Sequence, residues 1–147
     1  MKILVAYFSM SGHTKEMAEY VAEGVRVGGH EAKLASISEL KDAQALEGYD
    51  GYVLGSPTFH LDMAGPMKTF LFLMHQATLA DKMGGAFGSY THTGNAPKMI
   101  FDTMENVFKM KMTNLGPFHL EEAKVDTNEG RKACQDYGRV LAEQAAA

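Results

Sequence analysis

Residues 2 to 8, Lys-Ile-Leu-Val-Ala-Tyr-Phe, form a nearly unbroken apolar run with β-branched and aromatic members. A strand with one wet face alternates polar and apolar residues, so a run of this kind reads as a parallel strand covered on both faces. The run stops at Ser9. From Thr14 onward Met17, Ala18, Val21, Ala22 and Val25 recur at helical spacing, and only the turn Ser9-Met10-Ser11-Gly12-His13-Thr14 separates strand from helix. A parallel strand reaches its neighbour only through a crossover, so this opening already favours alternating strands and helices.

The turn has its own chemistry. A strand that feeds a helix through hydroxyls and one glycine presents free backbone N–H groups at the positive end of the helix dipole, with Ser9, Ser11 and Thr14 beside them. That arrangement suits a phosphate dianion. The first cation is Lys15, just beyond the turn, so dipoles and hydrogen bonds rather than an ion pair would meet the charge. An ordinary N-cap built from the same residue types is the alternative. Neither the Gly-x-x-x-x-Gly-Lys-Ser/Thr loop nor the Gly-x-Gly-x-x-Gly fingerprint is present.

Length and composition bound the rest. At 147 residues, 46% hydrophobic and 22% charged, the chain is expected to be one globular domain spanning 1–147. Its formal charge of -4 is spread without runs, which argues against a nucleic-acid partner. Met1-Lys2 and the short apolar run after them lack the length of a signal-peptide core, and no stretch approaches membrane-spanning length, so a cytoplasmic protein without a membrane partner is expected. The single cysteine, Cys134, shares a helical stripe with Ala133, Tyr137, Val140 and Leu141 and reads as a buried small apolar residue.

Along the chain, Gly28-Gly29 should stop the first helix and residues 31 to 37 alternate as an edge strand. A short helical stretch follows from Ser38 to about Leu46. Tyr52 to Gly55 is the next buried strand, and Pro66 opens a helix with Met67, Phe70, Leu71 and Met74 on one face. Residues 84 to 88 form a small-residue strand. Pro97 starts a helix carrying Ile100, Phe101, Met104, Val107 and Phe108, and the last strand falls within 112 to 120. Gly116-Pro117 restricts that strand to an edge or a bulged position. Asp126-Thr127 with Glu129 then caps a final helix running to about Gln144. The alternation predicts an α/β fold, a doubly wound five-stranded parallel sheet of order 2-1-3-4-5. In that order the winding reverses between strands one and three and opens a crevice at their carboxyl ends. The loops 9–14, 55–62 and 88–96 all leave that edge.

Three segments in these loops resemble the short-chain flavodoxin-like family, and the resemblance spans essentially the whole chain. Ser9-x-Ser11-Gly12-x-Thr14 is similar to the family's phosphate loop, and Gly55-Ser56-Pro57-Thr58 to its second flavin loop. Phe87-Gly88-Ser89-Tyr90, with Gly94 after it, looks most like the flavodoxin-like domain of flavodiiron proteins. The resemblance implies FMN as cofactor. Its 5′-phosphate would rest on Ser9, Met10, Ser11, Gly12, His13 and Thr14. The isoalloxazine would lie between Ser56, Pro57, Thr58, Phe59 and His60 on one side and Ser89, Tyr90, Thr91, His92, Thr93 and Gly94 on the other. His92 stands where that subgroup often has tryptophan, and the chain has none, so ring stacking falls to Tyr90, Phe59 or His92. Phe59 could instead anchor its loop on the core, and Tyr90 could be a plain loop tyrosine. His13, His60 and His92 fall one in each loop, but no cysteine or acidic cluster completes a ligand set, so no metal is expected.

The function implied is electron carriage between redox enzymes, with unidentified redox proteins as partners and no catalytic residue beyond the cofactor. The alternative is an NAD(P)H:quinone or flavin oxidoreductase of the same superfamily, which needs an open flavin face and room for nicotinamide or quinone. A monomer or a dimer fits either. Segments 9–14, 55–61 and 88–96 hold no Asp or Glu, which predicts a less negative potential for the reduced flavin than in strongly acidic flavodoxins.

Overall fold

The computed structural model describes residues 1–147. Its central sheet has the order β2 (Glu31–Ser36), β1 (Lys2–Tyr7), β3 (Gly51–Gly55), then β6 (Met83–Tyr90), all paired in parallel. The fifth position is shared by two short strands, β7 (Lys111–Met112) and β8 (Phe118–Glu121), both paired with β6. The expected 2-1-3-4-5 order is therefore observed, with the last strand broken around Gly116-Pro117. Tyr137 pins that break: its hydroxyl donates to the Gly116 carbonyl at 2.7 Å and accepts the Ala86 N–H at 3.1 Å.

Alternate strand residues feed two cores. Leu4, Ala6, Tyr52, Leu54 and Ala86 meet α2 (Gly65–Met74) and α3 (Asn95–Asn106) on one face. Ile3, Val5, Val53 and Phe87 meet α1 (His13–Val27) and α5 (Asn128–Ala146) on the other. Both faces being covered explains why β1 and β3 read as continuous apolar runs. The stretch expected to be helical at 38–46 is two 3₁₀ turns, Ile37–Glu39 and Ala43–Leu46, each opened by a side-chain cap from Ser36 or Asp42. Thr127 caps α5 as expected, accepting the Gly130 N–H, while Asp126 closes a one-turn helix, α4 (Glu122–Val125), absent from the sequence reading.

The register sets the height of the rim. Tyr7 is opposite Gly55, Gly55 opposite Phe87, and Phe87 opposite Phe118, so β1, β3, β6 and β8 reach the carboxyl edge together. The loops that follow them start from one line.

Helices α1 and α5 pack closely because glycines sit at their crossing. A Cβ on Gly24 would lie 1.8 Å from the Gln135 carbonyl oxygen, and one on Gly138 would lie 2.0 Å from that of Val21. Backbone on both sides leaves nothing flexible to yield. Gly24→Ala and Gly138→Ala are each expected to lower unfolding free energy by about 3 kcal/mol in urea titrations, whereas Gly65→Ala, with open space around it, should be neutral within about 0.5 kcal/mol.

Candidate functional site

The first loop turns on Gly12, whose φ of 95° lies in the left-handed region that side chains disfavour. Gly12 donates its N–H to Ser9 Oγ at 3.1 Å, and Ser11 Oγ lies 2.7 Å from His13 Nδ1. The amides of Met10 and Ser11 have no protein acceptor, and helix geometry leaves those of His13, Thr14 and Lys15 equally free. Five unbonded donors at the positive end of a fifteen-residue helix, with no carboxylate inside the loop, fit a dianionic ligand.

The hydroxyls divide into two sets. Ser9 and Ser11 are at the surface, whereas Thr14 is buried and its Oγ1 lies 2.8 Å from the buried Ser89 Oγ. That pair ties the first loop to the third. Ser56 is also buried: its hydroxyl donates to the Pro57 carbonyl and accepts the Ala64 N–H. Thr58 Oγ1 accepts the Ala96 N–H at 3.0 Å, joining the second loop to the start of α3. Ser56, Thr58 and Ser89 thus spend their hydroxyls on holding the loops together, and Pro57 is buried among them.

The second loop is not irregular. Thr58–Phe59 (β4) and Asp62–Met63 (β5) form a two-residue hairpin whose tip residues, His60 and Leu61, have φ of 48° and 67°. Both being positive is the signature of a type I′ turn, usually built from Asn and Gly. Phe59, His60 and Leu61 are exposed at the tip, so Phe59 is not a core anchor. Asp62 pairs with Lys68, whose ammonium holds the carboxyl below the usual range.

A cleft of about 300 Å³ runs between residues 58–61 of the hairpin and Thr91, His92 and Thr93 of the third loop. A second hollow, about 450 Å³, lies across Tyr90-Thr91 and brings His13 against Glu121, Glu122 and Asp126. Tyr90 is partly exposed, with its ring edge-on to His119 at 5.3 Å. Gly94 allows that contact, since a Cβ there would lie 2.8 Å from the His119 ring. The structure therefore gathers all three predicted loops at one rim. The largest hollow, about 840 Å³, lies on the far flank of the first loop toward β2 and α2 and contains no residue of the second or third loop.

A sequence profile of the flavodoxin family matches residues 5–137. The chain belongs to the flavodoxin family. It is a flavodoxin-like redox protein with FMN as its cofactor. It is 24% identical over 147 residues to a flavodoxin of Clostridium saccharobutylicum, covering 90% of this chain and 91% of the relative. It is 31% identical over 145 residues to an NAD(P)H dehydrogenase (quinone) of Gluconacetobacter diazotrophicus, covering 82% and 73%. Among solved structures, a flavodoxin from the domain Archaea superposes with a TM-score of 0.92 at 28% identity, each chain fully covered. The Flv1 flavodiiron core of Synechocystis shares the fold, with a TM-score of 0.84 at 22% identity over 99% of this chain and 36% of that one.

Sequence reasoning missed His119 and the acids Glu121, Glu122 and Asp126 in this family member. They come from β8 and the turn after it, whose pairing with β6 brings them beside Tyr90. The absence of acids from the three loops therefore holds for the cleft between residues 58–61 and 91–93 and not for the flank facing His13.

The hairpin tip carries a backbone cost that can be measured. A non-glycine residue in the left-handed region is strained by about 1 to 2 kcal/mol, partly offset by the entropy glycine loses on folding. Leu61 is exposed, so replacing it removes little packing. Leu61→Gly is expected to raise the urea midpoint of the flavin-free protein by a stability gain of about 0.5 to 1 kcal/mol.

Proposed function

We propose that this chain acts as a single FMN-binding domain over 1–147 that carries electrons between larger redox enzymes in the cytoplasm. The observation that carries the reading is the set of unbonded amides at the start of α1, on a loop locked by Thr14 and Ser89 to the third loop. The 5′-phosphate rests on residues 9–14, held by amides and by the surface hydroxyls of Ser9 and Ser11. The isoalloxazine would occupy the cleft between hairpin 58–61 and loop 91–93, where Phe59 supplies aromatic surface, while Tyr90 lines the neighbouring hollow. FMN supplies the one-electron chemistry. The chain's own residues bind it, exclude water from part of it and set the charge around it.

A second reading has one observation behind it, the 31% identity to a quinone-reducing NAD(P)H dehydrogenase. Stopped-flow mixing separates the two. A carrier stays oxidised on mixing with NADH or NADPH until a flavoprotein reductase is added, whereas rapid direct reduction would overturn carriage in favour of the enzyme.

Two expectations test the site itself. Equilibrium titration of the flavin-free protein should give riboflavin an affinity at least about tenfold weaker than FMN, because only FMN engages the amides of the first loop. The ring cleft holds no free carboxylate, since Asp62 is matched by Lys68. Spectroelectrochemistry should accordingly give a less negative potential for full reduction than in strongly acidic flavodoxins, because fewer carboxylates oppose an anionic reduced flavin. A very low potential, unmoved by His60→Ala and His92→Ala, would count against this.

A further inference from the structure

The cofactor reading uses the backbone amide of His13 and leaves its imidazole without a role. His13 is the first residue of α1, and its imidazole sits between two partners of opposite demand. On one side Nδ1 lies 2.7 Å from Ser11 Oγ, and on the other it lies 3.7 Å from a carboxylate oxygen of Glu122. Neutral imidazole can accept from the serine hydroxyl, and imidazolium can donate to the serine or the carboxylate.

The surrounding charge is one-sided. From α4 and the residue after it come Glu122 and Asp126, from β8 Glu121, and from α1 itself Glu16. Asp126 beside Glu16 holds the Glu16 carboxyl above its ordinary range, a sign that negative charge is already crowded there. Tyr90 and Thr91 of the third loop close the hollow without adding a cation. Lys15 and Lys41 face the hollow on the opposite flank of the loop, away from these carboxyls. A phosphate dianion entering the loop thus arrives beside several carboxyls, with His13 as the one group between them that can become positive.

We propose that His13 is the charge-matching residue of the phosphate loop, taking up a proton when the dianion of FMN binds and so offsetting Glu122 and its neighbours. The inference rests on the reading that residues 9–14 hold the FMN phosphate. Linkage fixes its sign. A bound dianion favours the protonated imidazole, so protonation favours the dianion by the same factor, and affinity falls as pH rises through the range where histidine loses its charge. The second ionisation of the phosphate, near pH 6, acts in the opposite direction and is complete above about pH 7. Above about pH 7 the phosphate is already mostly the dianion, so a fall in affinity there reads a group of the protein.

Calorimetric titration of the full chain, freed of flavin, with FMN and with riboflavin in buffers of different ionisation enthalpy tests this. Net proton uptake is expected with FMN near pH 7.5 and none with riboflavin, and FMN affinity should fall about five- to tenfold between about pH 7 and about pH 9. His13→Gln should abolish the uptake and flatten the profile. Glu122→Gln, which keeps the histidine and removes its acidic neighbour, should tighten FMN about threefold at about pH 9 and leave riboflavin unchanged. If FMN binds more tightly than riboflavin without proton uptake, or if His13→Gln takes up protons as the native chain does, the inference fails while the cofactor site stands. A chain that binds no FMN overturns both.

Discussion

A parallel sheet covered by helices on both faces has only its strand ends left for chemistry, and here the register brings four of those ends to one level. Tyr7, Gly55, Phe87 and Phe118 lie on a single line across β1, β3, β6 and β8. The winding reverses between β1 and β3, since the crossover from β1 leads out to β2 and the next returns to β3 on the other side. Crossovers that diverge leave a gap above neighbouring strands, which is where the loops meet. The loops then lock onto one another through buried and half-buried groups. Thr14 bonds Ser89, Thr58 accepts from Ala96, and Ser56 closes the base of the hairpin through Ala64. Polar atoms buried on a low-dielectric rim must be paired, so each of these bonds also fixes the position of the loop that supplies it.

The legible part of this architecture was the part encoded locally. Lys2 to Thr14 contains strand, turn and helix within a few residues, so the change of apolar period exposed the turn at 9–14 directly. The buried runs at 52–55 and 84–88 and the prolines at 66 and 97 located the remaining elements to within a few residues. The hairpin at 58–63 stayed hidden because His60-Leu61 carries none of the glycine or asparagine that announces a type I′ turn. The acidic flank stayed hidden for a different reason. Its residues sit about 110 positions after His13, and the break at Gly116-Pro117 obscured the short strand whose pairing with β6 brings them back. Contacts made through register across distant strands leave no periodic mark in one sequence.

The charge at this rim is divided between two flanks. Around the cleft between the second and third loops the hairpin exposes Phe59, His60 and Leu61, and its one acid is matched by Lys68. Across Tyr90-Thr91 the carboxylates gather against the start of α1. A carboxylate beside the ring would bear on the reduced flavin, whereas one beside the phosphate bears on how tightly the cofactor is held. On the proposed placement of the cofactor, affinity and potential would be adjusted by different residues of this chain.

Inside the protein the remaining reactive side chains are quiet. Burial pushes the Cys134 thiol up to about 12 and raises the Tyr137 hydroxyl above its ordinary value, and Tyr137 is occupied between Gly116 and Ala86. A thiol so far above neutral pH carries almost no thiolate, the form that reacts. Tyr137 serves to fasten the broken edge strand to the middle of the sheet, which holds β8 in register and with it His119 and the acidic turn. The line of support thus runs from a phenol in the core, through a broken edge strand, to His119 and the acidic groups at the rim. A substitution at Tyr137 would reach the rim by loosening the strand that carries those groups, without touching any residue of the three loops themselves.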